Sequence, residues 1–201
     1  MASEFVEFNA AGLTVDADRS LRISLPDGEA VDVVFESVRH GLLGDFWQGR
    51  LSGPHRGYVN LSVVQGDVAG QILGSAGRFL IRPLGNGIHA IHRIDQSRFA
   101  TCGNDPFEIN PVHIHLRTDS SNANPGADDD GSVVDVLVAY TATAAGQSGN
   151  ILAEIQAAID DANRAYELSS IDLRLNLVQT TQVDYAGGDL CDDRDAFARG
   201  R

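Results

Sequence analysis

Cysteine and basic residues are both scarce in this chain, and each scarcity excludes something. Cys102 and Cys191 are the only two cysteines in 201 residues. That is too few for a disulfide scaffold, although a single bond between them stays open beside two free thiols. Fifteen basic residues face 28 acidic ones, which gives a net charge of −13 and a pI near 4.6. Without a basic patch the chain has no surface suited to a phosphate backbone, so nucleic-acid binding is excluded; the acidity itself reads as a solubility feature. No apolar run approaches the ~20 residues that cross a bilayer, so no membrane span is expected. The opening segment MASEFVEFNAAG lacks the basic and apolar stretches of a secretion signal. A removed signal, a start further upstream and a cytoplasmic protein all fit it.

A 43% hydrophobic share is enough for a packed core, in one domain or two small ones. Residues 1–117 read as a β-rich antiparallel domain. Leu21, Ile23 and Leu25 alternate with polar residues, Pro26-Asp27-Gly28 is a turn signal, and Val31, Val33 and Phe35 resume the alternation, which predicts a hairpin. Further strands are expected over 46–51, 58–64, 68–73, 79–81 and 88–94, separated by glycine-containing turns. Such spacing argues for an antiparallel sheet, sandwich or partial barrel. Residues 118–132, TDSSNANPGADDDGS, are too polar to bury a core and form the expected linker.

Residues 133–201 begin with a nearly all-apolar strand over 133–140, as expected of a strand covered on both faces. A helix over 150–168 carries Ile151, Leu152, Ile155, Ala158, Ile159, Ala162 and Tyr166 at helical spacing, with Asp160, Asp161, Arg164 and Glu167 mainly on the wet side. Alternation over 171–177 predicts a second strand, and a crossover of this length implies a parallel, right-handed βαβ unit. Residues 188–201 are acidic and read as the start of another helix. The expected class is therefore α+β. One βαβ unit supplies too few layers for a domain and needs a surface to pack against.

The strand VDVLVAYT, the helix AEIQAAIDDANRAYELSSI and the stretch LRLNLVQTTQVDY together resemble the first strand, first helix and second strand of bacterial reprolysin-like (metzincin) zinc metalloproteases. DFWQGRLSG, YVNLSVVQGDVAGQI and FLIRPLGNGIHAIHRID resemble the β-rich propeptide that precedes the catalytic domain in that family. The resemblance implies a secreted or periplasmic zymogen, protein or peptide substrates, and a catalytic zinc in the full-length family. The family's zinc motif, His-Glu-x-x-His-x-x-Gly-x-x-His with a later Met-turn, does not occur here. None of His40, His55, His89, His92, His113 and His115 is followed by Glu, and Met1 is the only methionine. The expectation is thus a propeptide plus an incomplete catalytic domain, truncated before the zinc motif, without a cofactor or catalytic residues of its own. The resemblance also implies a role for Cys102, in Thr101-Cys102-Gly103: many such propeptides silence the enzyme with a cysteine thiolate on the zinc. A half-buried structural cysteine at a turn is the alternative.

Other readings compete. His113 and His115 share one face of a strand, a geometry metals can use, whereas His89 and His92 face opposite ways; solvated strand histidines explain both pairs. The 140–149 loop between strand and helix would cradle a phosphate in a flavodoxin-like fold, but such a fold needs about five parallel strands. No Gly-x-Ser-x-Gly is present to support serine catalysis. The alternative of a different class is a standalone β-rich binding or protease-inhibitor module.

Overall fold

The alternating stretches of the N-terminal part fold into one antiparallel sheet. The computed structural model describes residues 3–7, 20–98 and 132–185. The first eight strands are β1 (Ser3–Glu7), β2 (Leu21–Ser24), β3 (Ala30–His40), β4 (Asp45–Ser52), β5 (Gly57–Val64), β6 (Asp67–Gly74), β7 (Gly77–Gly85) and β8 (Ile88–Arg93). From β2 to β8 the sheet is a meander of hairpins, and β1 extends it at one edge by pairing antiparallel with β8. The hairpin between β2 and β3 forms as expected, and the predicted strands correspond to β4 through β8. Strand β1 was not anticipated, and β7 is longer than the alternation suggested.

The inner face carries the main core: Val33, Trp47, Val59, Leu61, Ile72, Phe79 and Ile91 are buried together. Residues from β2 and from β8 share this core because the sheet curls. Arg93 at the end of β8 reaches Asp27 in the β2–β3 turn, at 3.3 Å. One bulge has lasting consequences. Phe35 pairs with Gly49, but Ser37 pairs with Gln48, so Glu36 is an extra residue. The bulge reverses the parity of the strand and turns Ser37 and Arg39 to the outer face, beside Gln48 and Phe46.

The C-terminal part contains β9 (Val133–Thr141), a short helix α1 (Ala142–Gly146), the long helix α2 (Ile151–Leu168) and β10 (Arg174–Val183). Strands β9 and β10 pair in parallel, as expected of a βαβ unit. Asn150 starts α2 by accepting a hydrogen bond from the Ala153 N–H at 3.2 Å. The helix ends at Ser169, and Ser170 follows at φ 55. Two expectations are corrected. The second strand begins at Arg174 rather than 171, because residues 171–173 are spent on leaving the helix, and it runs on to Val183 with an irregularity at Val178. Strand β9 is covered on one face only: Val136, Val138 and Tyr140 pack on α2, while Val133 and Leu137 are exposed.

Candidate functional site: a polar seam between sheet and helix

Helix α2 lies between two surfaces. Ile155 and Ile159 pack with Leu177 of β10 and with β9, as the helical period required. Its other side rests on the outer face of β5 and β6. Small residues permit the close approach there: Ala153 and Ala157 meet Val64 and Ala69. Just before the helix, Gly149 lies against the β7 backbone, where an added Cβ would run into the carbonyl oxygen of Pro83.

The outer face of β5 is not apolar, and this determines the chemistry of the seam. Strand alternation places Asn60 and Ser62 on the side opposite Val59 and Leu61. Asn60 Nδ2 donates to Asp161 Oδ1 at 2.9 Å, and Ser62 Oγ donates to Asp160 Oδ2 at 2.8 Å. Gln156 Nε2 donates to both Asp160 oxygens at 3.1 Å. Around this centre, Arg82 of β7 forms a bidentate pair with Glu154, at 3.0 Å for each bond. Asn150 Nδ2 reaches the Val64 carbonyl at 3.3 Å and Asp67 at 3.1 Å. At the far end Arg39 pairs with Glu167 at 2.7 Å and Arg164 with Glu36 at 3.4 Å.

Asp160 is buried and Asp161 half-buried, which corrects the expectation that both lie on the wet side of the helix. The period placed them opposite the stripe facing β9 and β10, but the sheet covers that side as well; Ala158, expected inside, is exposed. Desolvation raises the Asp161 carboxyl to about 6, opposed by hydrogen bonds from Asn60 and Gln71, while the neighbouring Asp160 charge raises it further. Asp160 is also raised by burial, against the pull of Ser62 and Gln156. Both acids thus hold protons more tightly than they would in water.

Of the residues singled out in the sequence, Cys102, His113 and His115 lie outside the described residues, as do Cys191 and all of the linker except Ser132. His89 and His92 lie on β8, three residues apart. His89 is buried, its Nε2 accepts from the Val68 N–H at 2.8 Å, and burial lowers its pKa. Among the described residues no group of three His, Cys, Asp or Glu side chains could hold a metal ion. The 140–149 loop contains α1, whose Ala144 N–H is taken by Thr141 Oγ1 at 3.1 Å. Among the described residues no helix is long and apolar enough to cross a membrane, which says nothing of strand-built spans. The sequence reading did not assign the seam residues Asn60, Ser62 and Gln71 as partners of the helix. Their signal was present, since polar side chains recur among apolar neighbours in strands, but alternation alone reads such positions as wet. No family model, curated protein or solved structure matches the chain.

Proposed function

We propose that this chain is the N-terminal portion of a secreted zinc-dependent metalloendopeptidase precursor of the reprolysin-like kind. In this reading the β-rich part is the propeptide, the βαβ segment is the opening of the catalytic domain, and the chain itself has no peptidase activity. The observation that carries the reading is the shared helix. Helix α2 belongs by sequence to the βαβ unit, yet Asp160, Asp161 and Glu154 find their partners on the β-rich sheet. A carboxylate leaves water only when compensating hydrogen bonds replace its hydration, so Asn60 and Ser62 suit a sheet whose work is to hold this helix. A propeptide that supports an unfinished α/β unit has that requirement.

Peptide hydrolysis in this family uses a water on zinc, held by three ligands and polarised by a glutamate. This sequence contains no His-Glu-x-x-His. The purified chain, supplied with zinc and casein, should give no chelator-sensitive cleavage; turnover abolished by chelator and by mutation of His113 and His115 would overturn the reading. A latch role for Cys102 is tested separately. A peptide covering residues 99–107 should inhibit an active reprolysin-like protease, and its Cys102→Ser version should not. The β-rich part also has its own core, which suits the alternative of a standalone binding or inhibitor module. Genomic sequence downstream of the Arg201 codon separates the two: a His-Glu-x-x-His reading frame supports the precursor, and a clean intergenic region supports the module.

A further inference from the structure

Among the described residues His89 is the one histidine buried in the interior. Its place follows from a proline. Strands β6 and β7 pair from Gly74 and Gly77 down to Gly70 and Ile81. Two residues further on, the same register would bring Val68 opposite Pro83. Proline has no N–H, so that pair cannot close both ladder bonds. His89, which pairs with Pro83 from the β8 side, fills the position: its Nε2 accepts from the Val68 N–H at 2.8 Å. A ring nitrogen that accepts carries no proton there, so this bond requires the neutral imidazole.

The residues that the ring joins also seat the start of α2. Asp67, next to Val68, accepts from Asn150 Nδ2 at 3.1 Å, and the Val64 carbonyl accepts from the same group at 3.3 Å. Gly149 lies so close to the Pro83 carbonyl that a methyl group would not fit. A shift of Val68 relative to Pro83 is therefore passed to Gly149 and Asn150, and Asn150 caps the helix at the Ala153 N–H.

Protonation would place a hydrogen on Nε2, facing the Val68 N–H. Two donors would then oppose each other and a cation would lie in the interior. Burial lowers the His89 pKa below 6.5, opposed by the Asp67 charge and a backbone hydrogen bond at Gly87. The neighbouring strands bring few other charges to it: β7 brings Pro83, with Arg82 engaged by Glu154, and β1 places Val6 opposite.

We propose that His89 is an acid-sensitive clasp: neutral, it ties β6 across β7 to β8 and so seats the start of α2, and protonated it lets that end of the helix leave the sheet. The contribution is fully present above the ordinary value of 6.5 and is lost as pH falls from 6.5 toward the lowered folded pKa. Asp160 and Asp161 act with the opposite sign, because protonation relieves the cost of burying their charge, so a loss on acidification does not come from them. This inference does not rest on the precursor reading.

The test is amide hydrogen exchange of the full chain by nuclear magnetic resonance, with the His89 ring titrated in the same samples through its nitrogen shifts. Protection at Val68 and Ala153, corrected for intrinsic exchange, should fall by up to about tenfold per pH unit below 6.5, the limit for one proton, and level off at the midpoint of the ring itself. Leu61 and Ile72 in the main core should keep their protection over that interval. In His89→Gln the side-chain oxygen can still accept from Val68 but does not titrate, so the pH dependence at Ala153 should vanish; the titration of the parent chain decides by itself should this variant not fold. A ring that titrates while Ala153 keeps its protection, or one that stays neutral until the chain unfolds, would overturn the proposal. So would a parallel fall at Leu61 and Ile72, or an unchanged pH dependence in His89→Gln.

Discussion

Asp161 is the residue whose protonation bears most directly on stability. Its folded pKa of about 6 lies above the ordinary value of 3.8, so the folded state binds the proton more tightly than the unfolded chain does. The stabilisation linked to this proton is fully present below 3.8 and is lost as pH rises through about 6. With each unit worth 1.36 kcal/mol, the full swing is at most about 3 kcal/mol, and partial exposure reduces it. Asp161→Asn keeps an acceptor for Asn60 Nδ2 without a charge. The variant should therefore melt a few degrees higher than the parent at pH 7.5, and its melting temperature should vary less between pH 4 and 7. Thermal unfolding across that range checks this; a variant that melts lower than the parent at pH 7.5 would remove the desolvation argument. These acids were visible in the sequence as neighbours on one helix, but their burial was not. Helical period reports which residues share a face, and it does not say how many surfaces the helix touches.

At the level of elements, the joint between α2 and the sheet depends on close backbone approach. Gly149 lies against the β7 backbone, and a methyl group there would meet the Pro83 carbonyl. Gly149→Ala should cost about 1–3 kcal/mol through overpacking, read from urea unfolding followed by circular dichroism. Asn150 performs two tasks, capping α2 and holding Val64 and Asp67. Asn150→Ala should cost at least the ~1 kcal/mol of a lost cap, and Asn150→Ser, which restores the cap but not the reach, should recover only part of it. Full recovery by serine would mean that the contacts to β5 and β6 contribute nothing. Element type was legible here: the strand alternation, the helix from about 150 to 168 and the parallel pair were all read from periodicity. Element boundaries at β10 and β7 were not, because alternation continues into loops and stops at polar residues that the tertiary structure covers.

Across the whole molecule, the β-rich part and the βαβ segment meet along the seam, and the 118–132 stretch connects them in sequence. Limited proteolysis should cut first within 118–132, where the composition is polar and rich in small residues. First cuts within 58–94 would contradict the division, since those residues form β5 to β8 with their side chains in the main core. Periodicity and turn residues determined the class of each half, because those properties depend on local geometry alone. Tertiary structure decided the rest: the burial of Asp160 and Asp161, the parity-reversing bulge that turns Arg39 outward, and the use of the His89 ring as a substitute strand partner for Val68. Each depends on which distant segment lies opposite. A residue such as Asn60 reads as solvent-facing until a helix a hundred positions away covers it, and only packing brings the two together.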